Sequence, residues 1–453
     1  MDHHQRDILI LTTLGSFLTP FMGSSINIAL PAIGKEFALN ATQLGWIALS
    51  FLLSAATFLV PFGRIADIWG KKRIFTWGIF VFTVASLLSG LSPSAPLLIS
   101  FRALQGIGSA MIFGTAAAIL ASVFPPTVRG RVLGINVAAV YLGLSLGPFL
   151  GGLLTQHLGW RSTLLIHVPL GLTVMVLSRR AGGEWAEARG ERFDWRGSLL
   201  YSLALVAVMS GLSLLPSLWG LWLFLLGVLG ILGFLGWEAR TESPILEVNL
   251  FRDNRVFALS NLAALINYSA TFAVGFLLSL YLQYVKGLSP QQAGLILVSQ
   301  PVVMAILSPL AGRLSDRWEP RIVASAGMAL TMIALALFAF LGSATPDGFL
   351  VACLALLGLG LALFSSPNTN AIMGSVEKRS YGVASGTLGT MRLIGQMLSM
   401  GVAMFLITLF VGRGRMDPES YPLLLQSTRA AFLLFALLCC AGIFASLARG
   451  RVR

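Results

Sequence analysis

Charge is scarce in this sequence. Asp, Glu, Lys and Arg together make up 11% of its 453 residues, against roughly 25% in an ordinary soluble domain, which excludes a water-exposed globule. Cysteine is scarcer still. Cys353, Cys439 and Cys440 all lie inside apolar segments, so a disulfide framework or a zinc site is excluded and packing is their expected use. No phosphate-binding Gly-Lys-Ser/Thr loop, HExxH, Cys/His cluster or carboxylate pair within an apolar run is present. Neither ATP hydrolysis nor metal catalysis has residues to run on, so no enzyme activity, cofactor or metal is expected. The net charge of +13 does not indicate nucleic-acid binding, because the basic residues stand singly or in twos and threes between apolar runs.

Long apolar runs are what the chain does have. Six occupy Ile8 to Ala32, Leu44 to Phe62, Ile74 to Leu91, Ala95 to Val123, Val132 to Leu154 and Ser162 to Leu177. A segment dense in Arg and Glu, Arg179 to Arg196, leads into two closely spaced runs, Gly197 to Leu215 and Leu218 to Trp237. After a second polar stretch, Glu238 to Arg255, come six more: Val256 to Tyr284, Ala293 to Ala311, Ile322 to Leu341, Phe349 to Met373, Gly382 to Val411 and Ala430 to Leu447. A helix needs about 20 apolar residues to cross the bilayer core. Lipid leaves no backbone group unpaired, and continuous rather than alternating apolarity favours helices over a barrel. The expectation is an all-α membrane protein of 14 transmembrane helices. It divides into a six-helix bundle over 1–178, linkers and an inserted hairpin over 179–255, and a second six-helix bundle over 256–453. The first run has no small-residue cleavage site after it and reads as a retained helix.

Basic residues set the orientation. With the N-terminus in the cytoplasm, 23 of the 31 Lys and Arg fall in cytoplasmic segments and six outside, leaving Arg102 and Arg392 within spans. This bias puts both termini inside a bacterial-type cytoplasmic membrane.

The turn after the second run reads Gly63-Arg64-Ile-Ala-Asp67-Ile-Trp-Gly70-Lys-Lys-Arg73. Its two glycines permit a tight turn, Asp67 suits a helix N-terminus or a basic partner, and the basic cluster holds the loop in the cytoplasm. A related string, Gly312-Arg313-Leu-Ser-Asp316, follows the tenth run. The same Gly-Arg-x-x-Asp at the same place in each half indicates an internal duplication, the usual construction of secondary transporters.

At this point the chain resembles the major facilitator superfamily, in its fourteen-span drug:proton antiporter branch. The resemblance rests on three ordered motifs: Gly63 to Arg73; Arg102-Ala-Leu-Gln105-Gly106-Ile-Gly108 in span four; and Gly143-Leu-Ser-Leu-Gly147-Pro148-Phe-Leu-Gly151-Gly152 in span five. Further similarity covers Asn27 to Pro31, Gly159 to Arg161, Pro244 to Arg252 and Tyr281 to Gly294. It implies a cytoplasmic latch at Asp67, proton coupling through Arg102, and a span five associated with export. Independently of the resemblance, Gly147-Pro148 removes a backbone hydrogen bond and suits a helix that bends between states, unless the glycines merely pack. Arg102, costly in hydrocarbon, should face a wet cavity or a carbonyl unless it snorkels to the interface. Arg392, deep in span thirteen beside Gly395 and Gln396, is either functional or structurally paired.

Asn27, Gln105, Tyr141, Asn267, Tyr268, Gln283, Gln300, Asn368, Asn370, Arg392 and Gln396 are the polar residues that can line a central cavity, although singly each suits an interhelical hydrogen bond as well. The sequence departs from the resemblance at Met22, where relatives commonly carry an acid, and none of its 18 acidic residues lies mid-span. His167, in span six, is therefore a candidate proton carrier or else a neutral hydrogen-bonding ring. The expectation is a secondary transporter that exports small amphipathic compounds by proton antiport, as a monomer in the lipid bilayer without nucleic acid. With no mid-span carboxylate, neutral, zwitterionic or anionic amphiphiles are expected to be favoured over quaternary cations. Rival readings are a lipid or glycolipid translocase and a non-transporting sensor or scaffold.

Overall fold

The computed structural model describes residues 3–241, 244–377, 381–412, 414 and 416–450, apart from the side chains of Pro126, Thr127, Arg129 and Asp316. Fourteen helices are long and apolar enough to cross a membrane: α1 His3–Glu36, α2 Ala41–Trp69, α3 Lys71–Gly90, α4 Ala95–Val123, α5 Gly130–Leu158, α6 Arg161–Arg180, α7 Trp195–Leu214, α8 Leu218–Glu238, α9 Arg255–Val285, α10 Pro290–Ser315, α11 Pro320–Phe338, α12 Asp347–Gly374, α13 Tyr381–Val411 and α14 Pro418–Ala448. Each of the fourteen apolar runs in the sequence corresponds to one of them. An even number of crossings puts both chain ends on one face, called here the terminal face.

Local sequence sets several boundaries. Asn40 and Ser289 each close a capping box with a Gln three residues on, starting α2 and α10. Gly70, at φ +117°, turns the chain from α2 directly into α3. α9 ends in a π-helical turn, Tyr281–Val285.

Within the first six helices α1 packs on α5, and α2 and α3 pack on α4; in the last six, α11 and α10 pack on α12, and α9 on α13 and α14. In lipid such packing has no hydrophobic drive, so it needs close backbone approach at small residues. A Cβ on Gly143 would stand 2.6 Å from the Phe17 carbonyl oxygen, one on Gly151 2.8 Å from that of Ser25, and one on Gly147 against the Ser24 hydroxyl. These glycines form the α5 face that rests on α1. Gly152 instead meets α10, where a Cβ would stand 2.6 Å from the Pro290 oxygen, and a Cβ on Gly294 of α10 would stand 2.3 Å from that of Pro148.

The two halves meet away from the terminal face. There Ser279 donates to the Asn27 carbonyl (2.6 Å), Gln283 Nε2 to that of Ile28 (3.0 Å), and Thr42 and Thr408 share a hydroxyl hydrogen bond of 3.1 Å. Towards the terminal face the same helices part. Gly63 of α2, Gly130 and Gly134 of α5, and Gly382 and Gly386 of α13 have nothing within 4 Å of a Cβ position. The hydrogen bonds between the halves thus gather at the face away from the chain ends, while these glycines near the terminal face have no neighbour among the described residues.

The hairpin α7–α8 flanks the junction of α2 with α13. Tyr201 donates to the Ala56 carbonyl (3.0 Å) and Trp46 Nε1 to Ser213 (2.7 Å), while Met209 and Leu212 press on Gly401. α8 turns outward, with Trp219 82% exposed, as a lipid-facing helix does.

Gly294→Ala must push α10 off the Pro148 carbonyl, and overpacking costs about 1–3 kcal/mol. Thermal unfolding in detergent should show a clear loss for Gly294→Ala and none for Gly236→Ala, where nothing lies within 4 Å. Equal melting of the two variants would disprove the close approach.

Candidate functional site

The terminal end of the α2–α3 turn is bound by the linker to the hairpin. Lys71 is nearly buried, and its ammonium donates to Glu187 Oε1 (2.6 Å) and Ser122 Oγ (3.3 Å), with Asp67 at 3.4 Å. The linker also bonds the backbone: Lys71 N donates to the Trp185 carbonyl (2.8 Å), and Ala188 N to that of Asp67 (3.0 Å). Glu184 accepts from the amides of Lys72 (2.9 Å) and Arg73 (3.1 Å), capping α3 where the helix dipole favours an anion. Glu191 pairs with Arg64 at 2.5 Å, and Lys72 donates to the Ala181 carbonyl. Three acids thus lie across one basic turn like a strap.

This arrangement revises the reading of the motif. Only Gly70 forms the turn; α2 continues helically through Gly63 to Trp69, and Gly63 faces open space. Hydrogen bonding carries the helix on, because nothing between Gly63 and Trp69 interrupts it. In the second copy Gly312 faces Ser366 and Arg313 is exposed, while the Asp316 side chain lies outside the described residues.

In the first half Arg102 is fully buried. Its Nε donates to the Ile47 carbonyl (3.1 Å), Nη1 donates to Gln105 Oε1, and the guanidinium lies 4.6 Å from the Phe51 ring centroid. Gln105 passes the network on, donating to Ser86 at 2.7 Å. His167 is also fully buried; its Nδ1 lies 3.0 Å from the Thr163 carbonyl, and its ring packs 4.8 Å from that of Phe21. Its Nε2 has no partner.

At the apex of the opening a third group gathers from both halves. Arg392 of α13 lies 5.1 Å from the ring centroid of Tyr268 on α9. Tyr141 of α5 shares a hydrogen bond of 3.3 Å with Ser365 of α12 and is within electrostatic reach of the same guanidinium. Arg392, Tyr268 and Tyr141 are half-buried. They stand some ten to fourteen residues from the terminal ends of their helices, roughly 15–20 Å deep at 1.5 Å per residue, which is near the middle of a 30 Å hydrocarbon core. Asn267, next to Tyr268, is fully buried with both amide atoms unpartnered.

The sequence model described as Major Facilitator Superfamily matches residues 12–241 and 261–452. The chain belongs to that superfamily. It is 31% identical over 399 residues, 88% of this chain and 87% of the relative, to the riboflavin transporter RibZ of Clostridioides difficile (strain 630). To the multidrug resistance protein Stp of Mycobacterium tuberculosis (strain CDC 1551 / Oshkosh) it is 32% identical over 408 residues, 89% and 76% of the two chains. In fold it is similar to the inward-facing, unoccupied crystal structure of a bacterial homologue of the human lysosomal transporter Spinster, with TM-score 0.70, 16% identity, and coverage of 99% and 97%. The protein is a multi-pass membrane transporter and not an enzyme.

Several polar residues of this facilitator serve helix packing. Gln105 is consumed by Arg102 and Ser86, and Asn368, fully buried, donates to the Ser260 carbonyl at 3.1 Å. Asn370 is exposed and donates to Ser315 (2.7 Å); Gln283 bridges α9 to α1. Asn27 accepts across the halves through its carbonyl, Gln300 offers its carbonyl to the Gly358 approach, and Gln396 stands half-buried one turn from Arg392. Arg449, counted by sequence among the cytoplasmic charges, is fully buried, with Nη1 donating to Asn368 Oδ1 (2.7 Å) and Ser260 (3.2 Å). The strap was missed as well. Its signal lay in the sequence: four of the 18 acids fall between Arg179 and Arg196, in the linker that meets the most basic turn.

Glu184→Ala removes the α3 cap, a change that costs about 1 kcal/mol, and frees the linker around the exposed Arg189 and Arg192. Limited trypsin digestion should cut there faster than in the parent, with a lower melting midpoint. Unchanged cleavage and melting would show that the strap is not held by Glu184.

Proposed function

We propose that the protein exports small amphipathic compounds by alternating access, driven by proton antiport. The observation that carries this reading is the asymmetry of closure. The halves are pressed together at one face, separate at the other, and leave a polar group from both halves at mid-depth, where secondary transporters bind. Reversing that asymmetry moves a bound molecule across the membrane. The multidrug-resistance name of a 32% identical relative supports efflux of varied compounds. The basic bias of the terminal-face segments supports a cytoplasmic terminal face, and hence an opening to the cytoplasm.

For coupling, Arg102 and Gln105 form a sealed polar network in the half that also holds His167, whose Nε2 has no partner among the described residues and can accept a proton. Arg102 holds its charge against the Ile47 carbonyl and sets the field around that half. Asp67 acts at the terminal face, where opening and closing change the surroundings of the strap. The glycine face of α5 lets that helix roll on α1, at the expense of the hydrogen bonds of Asn136 to Ser16 (2.9 Å) and Ser24 to the Gly143 carbonyl (3.3 Å).

Two measurements test the reading. In a background lacking Cys353, Cys439 and Cys440, Arg189→Cys and Ala344→Cys, both at exposed positions, should label from opposite sides of intact cells, Arg189→Cys from the cytoplasm. Labelling from one side, or with the sides exchanged, would overturn the orientation. In proteoliposomes with an imposed pH gradient, a chemically varied dye panel should show gradient-driven flux, and His167→Asn should flatten its dependence on pH between 5.5 and 8.5. Flux indifferent to the gradient would remove proton antiport, and an unaltered profile in the variant would remove His167 from the proton path.

A further inference from the structure

Three arginines lie within the helical body of this transporter, and they differ in what satisfies them. Arg102 has a backbone carbonyl, a glutamine oxygen and an aromatic face; Arg449 has an asparagine oxygen and a hydroxyl. Both tie helices of one half together, although Nε and Nη2 of Arg449 are buried without a partner among the described residues. Arg392 has no carboxylate and no backbone carbonyl among the described residues. Its neighbours are Tyr268, whose ring centroid is 5.1 Å away and whose side chain is within hydrogen-bonding reach, and Tyr141 of the other half, and its Nε is buried without a partner among the described residues.

A guanidinium keeps its charge at any physiological pH and presents donors in a planar fork suited to two oxygens of one anion. Leaving such a charge unpaired at mid-membrane is costly. None of the chain's 18 acids lies mid-span. Glu36, at the end of α1, is taken by Arg161 (2.7 Å) and by the Trp160 ring N–H (2.6 Å) on the closed face. The protein therefore carries a mid-depth cation without an anion, at the apex of an opening, between two tyrosines contributed by opposite halves.

We propose that Arg392, backed by Tyr268 and faced by Tyr141, is the binding subsite for the anionic group of an aromatic amphiphile: a carboxylate, sulfonate or phenolate carried on a ring system. The anion pairs with the guanidinium fork, and the ring lies against the tyrosines, whose bodies offer apolar contact and whose hydroxyls reach polar substituents. Because Tyr141 and Arg392 belong to different halves, a ligand held by both feels the halves move. The proposal rests on the transport reading above and narrows its substrate class.

The test uses two xanthene dyes of one skeleton and opposite charge, fluorescein and rhodamine 123, with the purified full-length transporter in proteoliposomes. Wild type should move fluorescein faster than rhodamine 123. Arg392→Gln should lower fluorescein flux tenfold or more while rhodamine 123 flux stays within about twofold, since only the anion loses a charge-assisted hydrogen bond. Arg392→Lys, which keeps the charge and loses the fork, should fall between them, and Tyr268→Leu should weaken both dyes by removing the ring contact. Melting curves establish that each variant is folded, and fluorescein should stabilise the wild type but not Arg392→Gln. NBD-labelled phosphatidylglycerol in the same vesicles separates a free anion from a lipid headgroup: Arg392-dependent lipid movement places the anion on a lipid, and its absence on a free solute. A wild type that moves rhodamine 123 in preference to fluorescein, an Arg392→Gln that slows both dyes equally, or stabilisation by fluorescein that ignores the substitution overturns the anion subsite and leaves export standing. Failure of wild type to move either dye or any member of the panel sinks the export reading and this subsite with it.

Discussion

Hydrocarbon around the helices offers no hydrogen bonds, and everything polar in this molecule is arranged around that fact. Backbone groups are satisfied within fourteen helices. Side-chain hydroxyls turn back onto their own helices: Thr12 onto the Ile8 carbonyl, Thr83 onto Ile79, Ser86 onto Phe82 and Ser308 onto Met304. Charges are the hardest case. Arg102 meets a carbonyl, a glutamine oxygen and an aromatic face, Arg449 an asparagine oxygen and a hydroxyl through Nη1 alone, and half-buried Arg392 the ring of Tyr268.

The two ends of the molecule close by different physics. At the shut face the contacts are close backbone approaches, Gly294 on Pro148 and Gly152 on Pro290, with a few hydrogen bonds such as Ser279 to Asn27. Close packing of this kind is lost within a fraction of an ångström, because dispersion falls steeply with distance. At the terminal face the described contacts of the α2–α3 turn are ion pairs and backbone hydrogen bonds that stay within one half and its linker: Lys71 with Glu187, Arg64 with Glu191, and Lys71 N with the Trp185 carbonyl. Ionic contacts near water weaken gradually and are screened by salt. The shut face is thus sealed by close packing between the halves, whereas the terminal-face contacts tie the linker to the first half.

How far the sequence alone could go follows from the same constraint. The number and placement of helices were legible because hydrocarbon demands long apolar runs, and the major facilitator resemblance was legible because its motifs sit at turns and helix contacts. Which way a polar residue points was not. In a soluble helix an apolar stripe marks the inner face; in a membrane helix the lipid side is apolar as well, so depth can be read and direction cannot. Asn368, Asn370 and Gln105 were therefore grouped with Arg392, although their amides are used between helices. Arg449 was misread for the complementary reason: its position near a chain end suggested a solvated charge, while the surrounding helices fold over it. The strap escaped because a linker's acids have no periodicity to tie them to a turn more than a hundred residues earlier.

The inserted hairpin places a limit on how the halves can move. α7 is tied to α2 by directional hydrogen bonds, Tyr201 to the Ala56 carbonyl and Trp46 to Ser213, but it meets α13 through Met209 and Leu212 against Gly401. Methionine is flexible and glycine offers no side chain to interlock, so that second contact can slide. Motion between α2 and α13 thus carries the hairpin with the first half. Its other attachment agrees with this: the linker leading into α7 is bonded to Lys71, Arg64 and the start of α3, all of the first half. The hairpin is in these contacts an extension of the first half that overlaps the second. The junction of α5 with α10 is closed instead by direct glycine contact. The two junctions between the halves are therefore unequal, one covered by a helix that slides and one resting on close-packed backbone, and a rocking motion about the shut face has to accommodate both.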